Sequence, residues 1–150
     1  MDNRGKIFDT LCEMHGVGLM AGGAGTAHTA WDTGGGYTEG KLIIDVTACS
    51  SAATTEDYEI WLQGSPTGTF TTFYTLFAIK FGSLATGTSD FLNCRVSSKA
   101  TWPGPTALPL RISQPFSNDF AGTVYRWLRL YTAISATCAT GINYYAFLSI

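Results

Sequence analysis

Charged residues are scarce in this chain. They make up 13 % of its 150 residues, about half the share of an average soluble domain. Few side chains are left to hold a surface in water, so Ser, Thr and Gly, or a partner, must cover much of it. A surface poor in Lys and Glu and rich in Tyr, Trp and Phe has the composition of an interface core. The nine Lys and Arg residues are scattered from Arg4 to Arg129 with no basic run, which argues against a nucleic-acid groove. Cysteine is sparse too. Cys12, Cys49, Cys94 and Cys138 stand far apart with no CxxC pair, so neither a tight disulfide framework nor a zinc ribbon is indicated and the four read as buried free thiols. No run approaches the roughly 18 apolar residues of a membrane helix. Residues 11–20 are interrupted by Glu13, His15 and two glycines, so no signal-peptide core is expected there. These absences point to a chain made in a cytoplasm, with no membrane partner. A sustained helical period is also missing.

What the chain does have is apolar and β-like. Apolar residues reach 45 % and aromatic residues 13 %, enough for a packed core in a single domain of this length. Residues 1–40 differ from the rest, with glycine at 16, 18, 22, 23, 25, 34, 35, 36 and 40. Glycine loses the most entropy on ordering and packs no side chain, so this part reads as an extended arm with at most short strands. Ile7, Phe8 and Leu11 form a small apolar patch on it. Removing about the first thirty residues is then expected to leave the remaining domain folded and to weaken its attachment to a partner.

From Lys41 the period becomes two, the signature of strands. Leu42, Ile44, Val46 and Ala48 share one face, and Tyr58, Ile60 and Leu62 share another. Residues 70–81 read as one bent strand or two, 91–96 as a short one, and 108–112 as an edge strand beside Pro109. Residues 123–132 and 142–150 close the chain as strands. The turn-rich connectors at 64–68 and 102–105 complete the pattern of an antiparallel β-sandwich or jelly roll spanning 41–150. A sandwich needs only one apolar face per strand, yet several strands here have two. Trp61 lies opposite Tyr58, Ile60 and Leu62. Tyr125, Trp127, Arg129 and Tyr131 lie opposite Val124, Leu128 and Leu130, and Tyr145 lies opposite Tyr144. Two explanations fit: the second face is covered from within, for example by the arm, or it meets another subunit.

A search for chemistry finds little. Asp32-Thr33-Gly34 matches the triplet of aspartic proteases, in which two carboxylates share a proton. No apolar strand precedes it, and no apolar-apolar-Gly partner motif follows. Cys12, His15 and His28 do not make the four ligands of a structural zinc site. Both histidines fall in the glycine-rich arm, a poor place for a base whose value is its positioning. Asp57 and Glu59 would share a strand face as paired acids do, but a solvated outer face explains them. The glycines make neither a phosphate loop nor a dinucleotide fingerprint. No enzyme activity, cofactor or metal is expected.

Several motifs in order are more informative. Ile7-Phe8-Asp9 comes first, followed by Trp31-Asp32-Thr33-Gly34-Gly35-Gly36 and Leu42-Ile43-Ile44-Asp45-Val46-Thr47. Tyr58-Glu59-Ile60-Trp61-Leu62-Gln63-Gly64-Ser65 comes next, with Phe70 after it. Tyr125-Arg126-Trp127-Leu128-Arg129-Leu130 and Ile142-Asn143-Tyr144-Tyr145-Ala146-Phe147-Leu148 stand near the end. This layout resembles the small cement, or decoration, proteins that coat capsids of tailed bacteriophages, over most of the chain except about 82–110. The resemblance implies a jelly-roll-like β-sandwich on the outside of a virion. It implies pairing into dimers or small homo-oligomers that bridge neighbouring major capsid protein subunits. It carries over no catalytic residue, and it makes Asp32-Thr33-Gly34 a turn into the first strand. The expected interface is Ile7, Phe8, Leu11, Trp31, Trp61, Tyr125, Trp127, Arg129, Tyr131 and Tyr145. A competing reading is a tail, fibre or adhesin module whose tryptophans, including Trp61, Trp102 and Trp127, stack on carbohydrate.

Overall fold

The computed structural model describes residues 13–20, 23–49, 57–82, 110–134 and 141–150. They form eleven strands and, among the described residues, no helix: β1 (Glu13–Met20), β2 (Gly23–Ala27), β3 (Trp31–Asp32), β4 (Glu39–Cys49), β5 (Asp57–Ser65), β6 (Tyr74–Gly82), β7 (Leu110–Ser117), β8 (Asp119–Phe120), β9 (Thr123–Val124), β10 (Trp127–Ile134) and β11 (Ile142–Ser149). One sheet has the order β1-β11-β4-β7 and the other β2-β10-β5-β6, with β3 also on β10, while β8 and β9 form a separate small hairpin. Every described pairing is antiparallel. The expected all-β sandwich is what the chain adopts.

Alternation builds the core. Burial is strictly every second residue along β10 and β11. Leu128 and Leu130 thereby face Ile142, Tyr144, Ala146 and Leu148 across the interior, with Leu42, Ile44 and Val46 of β4 and Tyr58, Ile60 and Leu62 of β5 in the same cluster. Each aliphatic side chain so buried stabilises the fold by about 1.5–3 kcal/mol. The face shared by Leu42, Ile44 and Val46 does not extend to Ala48, which is exposed. The register of β4 on β11 slips between Val46 and Ala48, and such a bulge turns the strand end away from the core.

The N-terminal segment is the first departure from the sequence expectation. Residues 13–40, expected as an arm, are extended but not separate from the sandwich. β1 is the outer neighbour of β11, and β2 and β3 line the open edge of β10. Met14 is 2 % exposed within the core. Glycine lowers intrinsic strand preference, but the unpaired edges of β10 and β11 supply a template that overrides it. The earlier part of that segment, with Ile7, Phe8 and Leu11, lies outside the described residues, as do the strand expected at 91–96 and the 83–109 connection.

The second correction concerns 123–132, which is not one strand. It breaks at Tyr125 and Arg126 between β9 and β10. The break reverses the phase, so Tyr125 points inward at 4 % exposure and Val124 points out. Residues 70–73 are likewise a loop, and β6 starts at Tyr74.

Candidate interaction surface

The outward positions of β5 and β10 meet in direct cross-strand pairs: Trp61 with Tyr131, Gln63 with Arg129, and Ser65 with Trp127. The Trp61 and Tyr131 rings lie 5.2 Å apart at a 36° tilt. The Trp61 indole N–H donates to Glu59 Oε2 at 2.8 Å, which fixes the ring's orientation. The tip of the Tyr131 ring in turn lies against Gly25 of β2. A Cβ at Gly25 would come 2.0 Å from the Tyr131 hydroxyl, so any side chain there would have to displace the Tyr131 ring.

Arg129 organises the middle of this face. Its Nε donates to Gln63 Oε1 at 2.8 Å, and its guanidinium carbon sits 4.2 Å from the Phe70 ring centre and 5.2 Å from that of Phe73. A partly desolvated cation over an aromatic ring contributes about 1–2 kcal/mol. Burial pushes the Arg129 pKa down, and the nearby Tyr131 opposes that shift.

Both aromatic partners of Arg129 come from the β5–β6 loop, which folds back flat on the outer face. Phe70 adopts a left-handed φ of 53° and is buried. Its N–H reaches Thr67 O at 3.2 Å. Ser65 Oγ donates to Thr72 O at 2.7 Å and accepts from the Thr67 N–H at 3.2 Å. At the far side of the loop, a Cβ on Gly68 would lie 3.3 Å from the Trp127 indole, and Arg126 stacks on that indole from another side at 5.5 Å.

The explanation by cover from within is therefore met in part. The loop at 66–73 covers Gln63, Ser65 and half of Trp127 from within, whereas Trp61, Arg129 and Tyr131 remain half-exposed. Among the described residues the covering element is this loop, with Gly25 of the glycine-rich segment beside Tyr131.

The other expected interface residues lie elsewhere. Trp31 packs against the margin of the core. Tyr145 is on the outer face of the opposite sheet, 5.7 Å from Phe147. Burial, with the charges of Glu13 and Asp45, raises its pKa. Tyr125 is interior, its ring filling the space that a side chain at Gly64 would need, with a Cβ there only 2.9 Å away.

The structure also adds residues that alternation alone did not mark. Phe73, Tyr74, Phe120 and Val124 are each 38–49 % exposed and lie at one end of the sandwich. The Tyr74 ring is 5.6 Å from Tyr125 and 6.4 Å from Phe120. The hairpin carrying Phe120 and Val124 turns through Ala121 and Gly122, both with positive φ, the geometry of a tight two-residue connection. The Phe120-Ala121-Gly122-Thr123 run was the sequence signal for it.

The Asp-Thr-Gly triplet has a structural explanation. Asp32 Oδ1 and Oδ2 accept from Arg126 Nε and Nη2, each at 2.8 Å, and Asp32 Oδ1 also accepts from the Gly34 N–H at 2.9 Å. These bonds, the Arg126 pair foremost, hold the Asp32 pKa down at about 2. A carboxylate locked to a guanidinium stays ionised rather than sharing a proton with a partner acid. Gly34 and Gly35, with φ of 79° and 89°, make the turn that leads on to β4.

The chain matches no protein-family model, and no curated protein is similar enough to it to serve as a relative.

One buried residue fixes the local geometry. Asn118 is fully buried. Its Oδ1 accepts from the Thr38 N–H at 2.7 Å, and its Nδ2 donates to Gly36 O at 2.8 Å and Tyr125 O at 3.0 Å. Its backbone bonds Thr38 O and the Tyr125 N–H as well. The 33–38 turn, the β8–β9 hairpin and the entry to β10 are thus tied to a single side chain.

Proposed function

We propose that the chain is a structural virion protein that binds the outer surface of a tailed-phage capsid and cements neighbouring major capsid protein subunits, acting as a dimer or small homo-oligomer. The observation that carries this reading is the outward face of β5 and β10. Trp61, Arg129 and Tyr131 are held there in fixed orientations on a rigid sheet and left half-exposed. Trp, Tyr and Arg are the residues that dominate binding energy at protein interfaces, most of all when they are pre-organised. The ordered motifs that resemble cement proteins support the same reading. So does the strand order, which we read as that of a jelly roll, since the chain passes to the opposite sheet at most of its connections.

A clamp of this kind works by mass action. It binds the mature lattice and adds its binding energy to that state alone. Repetition over a symmetric shell multiplies a modest contact into resistance to rupture.

The test is direct. Particles of the virus that encodes the chain are purified and their proteins counted by mass spectrometry. Many copies per particle are expected, and none or only a few would overturn the proposal. Trp61→Ala is then expected to weaken binding of the purified chain to shells lacking it by about tenfold or more, with little change in melting temperature. Equal losses in binding and in folding would make Trp61 a packing residue only.

A second reading, a carbohydrate-binding fibre module, is favoured by the Trp61–Tyr131 ring pair, since such faces stack on sugar rings. Glycan binding abolished by Trp61→Ala, with no binding to shells, would select it.

A further inference from the structure

The chain has two histidines, and the fold brings both to one place, away from the surface described above. His15 lies on β1 opposite Ala146, an inward position. Its ring centre is 4.3 Å from that of His28 and 4.4 Å from that of Tyr144. His28 follows β2, and its backbone N–H donates to Leu130 O at 2.9 Å. Its Nε2 is 2.9 Å from Thr132 Oγ1 and 3.2 Å from the Tyr144 hydroxyl. Thr132 of β10 and Tyr144 of β11 are themselves buried and hydrogen-bond each other at 2.5 Å. The four side chains thus join each N-terminal edge strand to its neighbour, and one sheet to the other. His15 Nε2 is buried without a hydrogen-bond partner.

Nothing charged among the described residues faces this cluster. Glu13 of β1, Asp45 of β4, Glu59 of β5 and Arg129 of β10 occupy outward register positions, opposite Phe147, Tyr145, Ala133 and Gln63 respectively. β2 carries no titratable side chain. Tyr144 is the remaining titratable group, and burial pushes its hydroxyl up, so it stays protonated. Burial lowers the His15 pKa. For His28, burial first and then the neighbouring His15 hold it at about 4.

We propose that this cluster is an acid-sensitive latch. With both imidazoles neutral it fastens β1 and β2 to the sandwich, and protonation of either one expels it and releases the two strands together. The sign follows from linkage. The folded pKa values lie below the ordinary value of about 6.5, so the released state binds more protons than the latched one. The latch is fully effective above about pH 6.5 and is lost as pH falls from there through about 4. Separation is local because the released strands are edges, while β4, β5, β10 and β11 keep their other pairings.

Amide hydrogen exchange of the full chain, corrected for the intrinsic effect of pH, tests this. Between pH 6.5 and 4, exchange in residues 13–27 is expected to accelerate by up to about tenfold per pH unit for each imidazole that titrates, while residues 57–65 stay protected. Unchanged exchange in 13–27, or parallel loss in both segments, would overturn the latch. His28→Gln, which keeps an amide beside Thr132, and His15→Phe, which removes the unpartnered nitrogen, are each expected to reduce the dependence to that of the remaining histidine, and the double variant to flatten it. A full dependence retained in the double variant would refute the assignment. Should either variant fail to fold, proton NMR titration of the two native imidazoles decides: an ordinary value for both sinks the proposal. The latch rests on the fold alone, so failure of the shell-binding experiment would leave it standing, and its own failure would leave that reading intact.

Discussion

Asn118→Ala is expected to lower the stability of the chain by about 3–5 kcal/mol, at the extreme end of what one substitution does. The variant keeps its backbone bonds but strands the Thr38 N–H and the Gly36 and Tyr125 carbonyls that the amide now satisfies. Each buried group left unpaired costs about 1–3 kcal/mol, less where water can enter. The loss reads out in urea unfolding as a lower midpoint with an unchanged slope. In thermal melting it is a drop of roughly 10–20 °C. Asn118→Asp is expected to do no better, because it retains the acceptor, loses the donor and introduces a charge at a site with no exposure. A wild-type midpoint in Asn118→Ala would mean that the three loops are held by other contacts.

The second large effect comes from removing residues 1–30. Composition alone suggested a dispensable arm, but β1 and β2 are paired elements of the sandwich. Their deletion removes Met14 from the core, a loss of about 2–4 kcal/mol by itself, and ends the bonding of His28 to Thr132. It also bares the backbone of β11 along its β1 side and of β10 beyond the part still paired with β3. Bared central strands are templates for pairing with another chain. A chain starting at Trp31 is therefore expected to keep a β-sheet circular dichroism spectrum. It should melt at least about 15 °C lower and elute as oligomers whose size grows with concentration. A monodisperse monomer with the parent melting point would restore the dispensable arm.

The parts of this fold that were legible in the sequence are those in which one strand carries its own signal. β4, β5, β10 and β11 each alternate an apolar inward row with a mixed outward row, and burial follows that alternation closely. What stayed hidden depends on residues distant in the chain. The segment with Gly22, Gly23 and Gly25 has no strand signal of its own, and its pairing is supplied by β10 more than a hundred residues later. Tyr125 looked outward because the alternation of 127–131 was carried back through it. The break at Arg126 is set by Asn118 together with Gly36 and Thr38. Phe70 read as the start of a strand, but its place is decided by Arg129, over which it folds.

The candidate surface was half legible for the same reason. Trp61, Trp127, Arg129 and Tyr131 follow from alternation. The exposed end formed by Phe73, Tyr74, Phe120 and Val124 follows only once the loop and the hairpin are in place. The meeting of His15 with His28 has no sequence signal, since each is brought in by a different sheet.

The strand order has one more consequence, for synthesis. β11 is the latest of the described strands, yet it sits between β1 and β4 in the interior of its sheet. β1, made first, has no described sheet neighbour until β11 arrives. A growing chain on the ribosome therefore cannot close this sandwich until Ile142–Ser149 have left the exit tunnel. Such long-range closure is slow and exposes open strand edges meanwhile. A stop codon before Ile142 leaves a product that never completes the first sheet, with the edges of β1 and β4 that β11 covers left open.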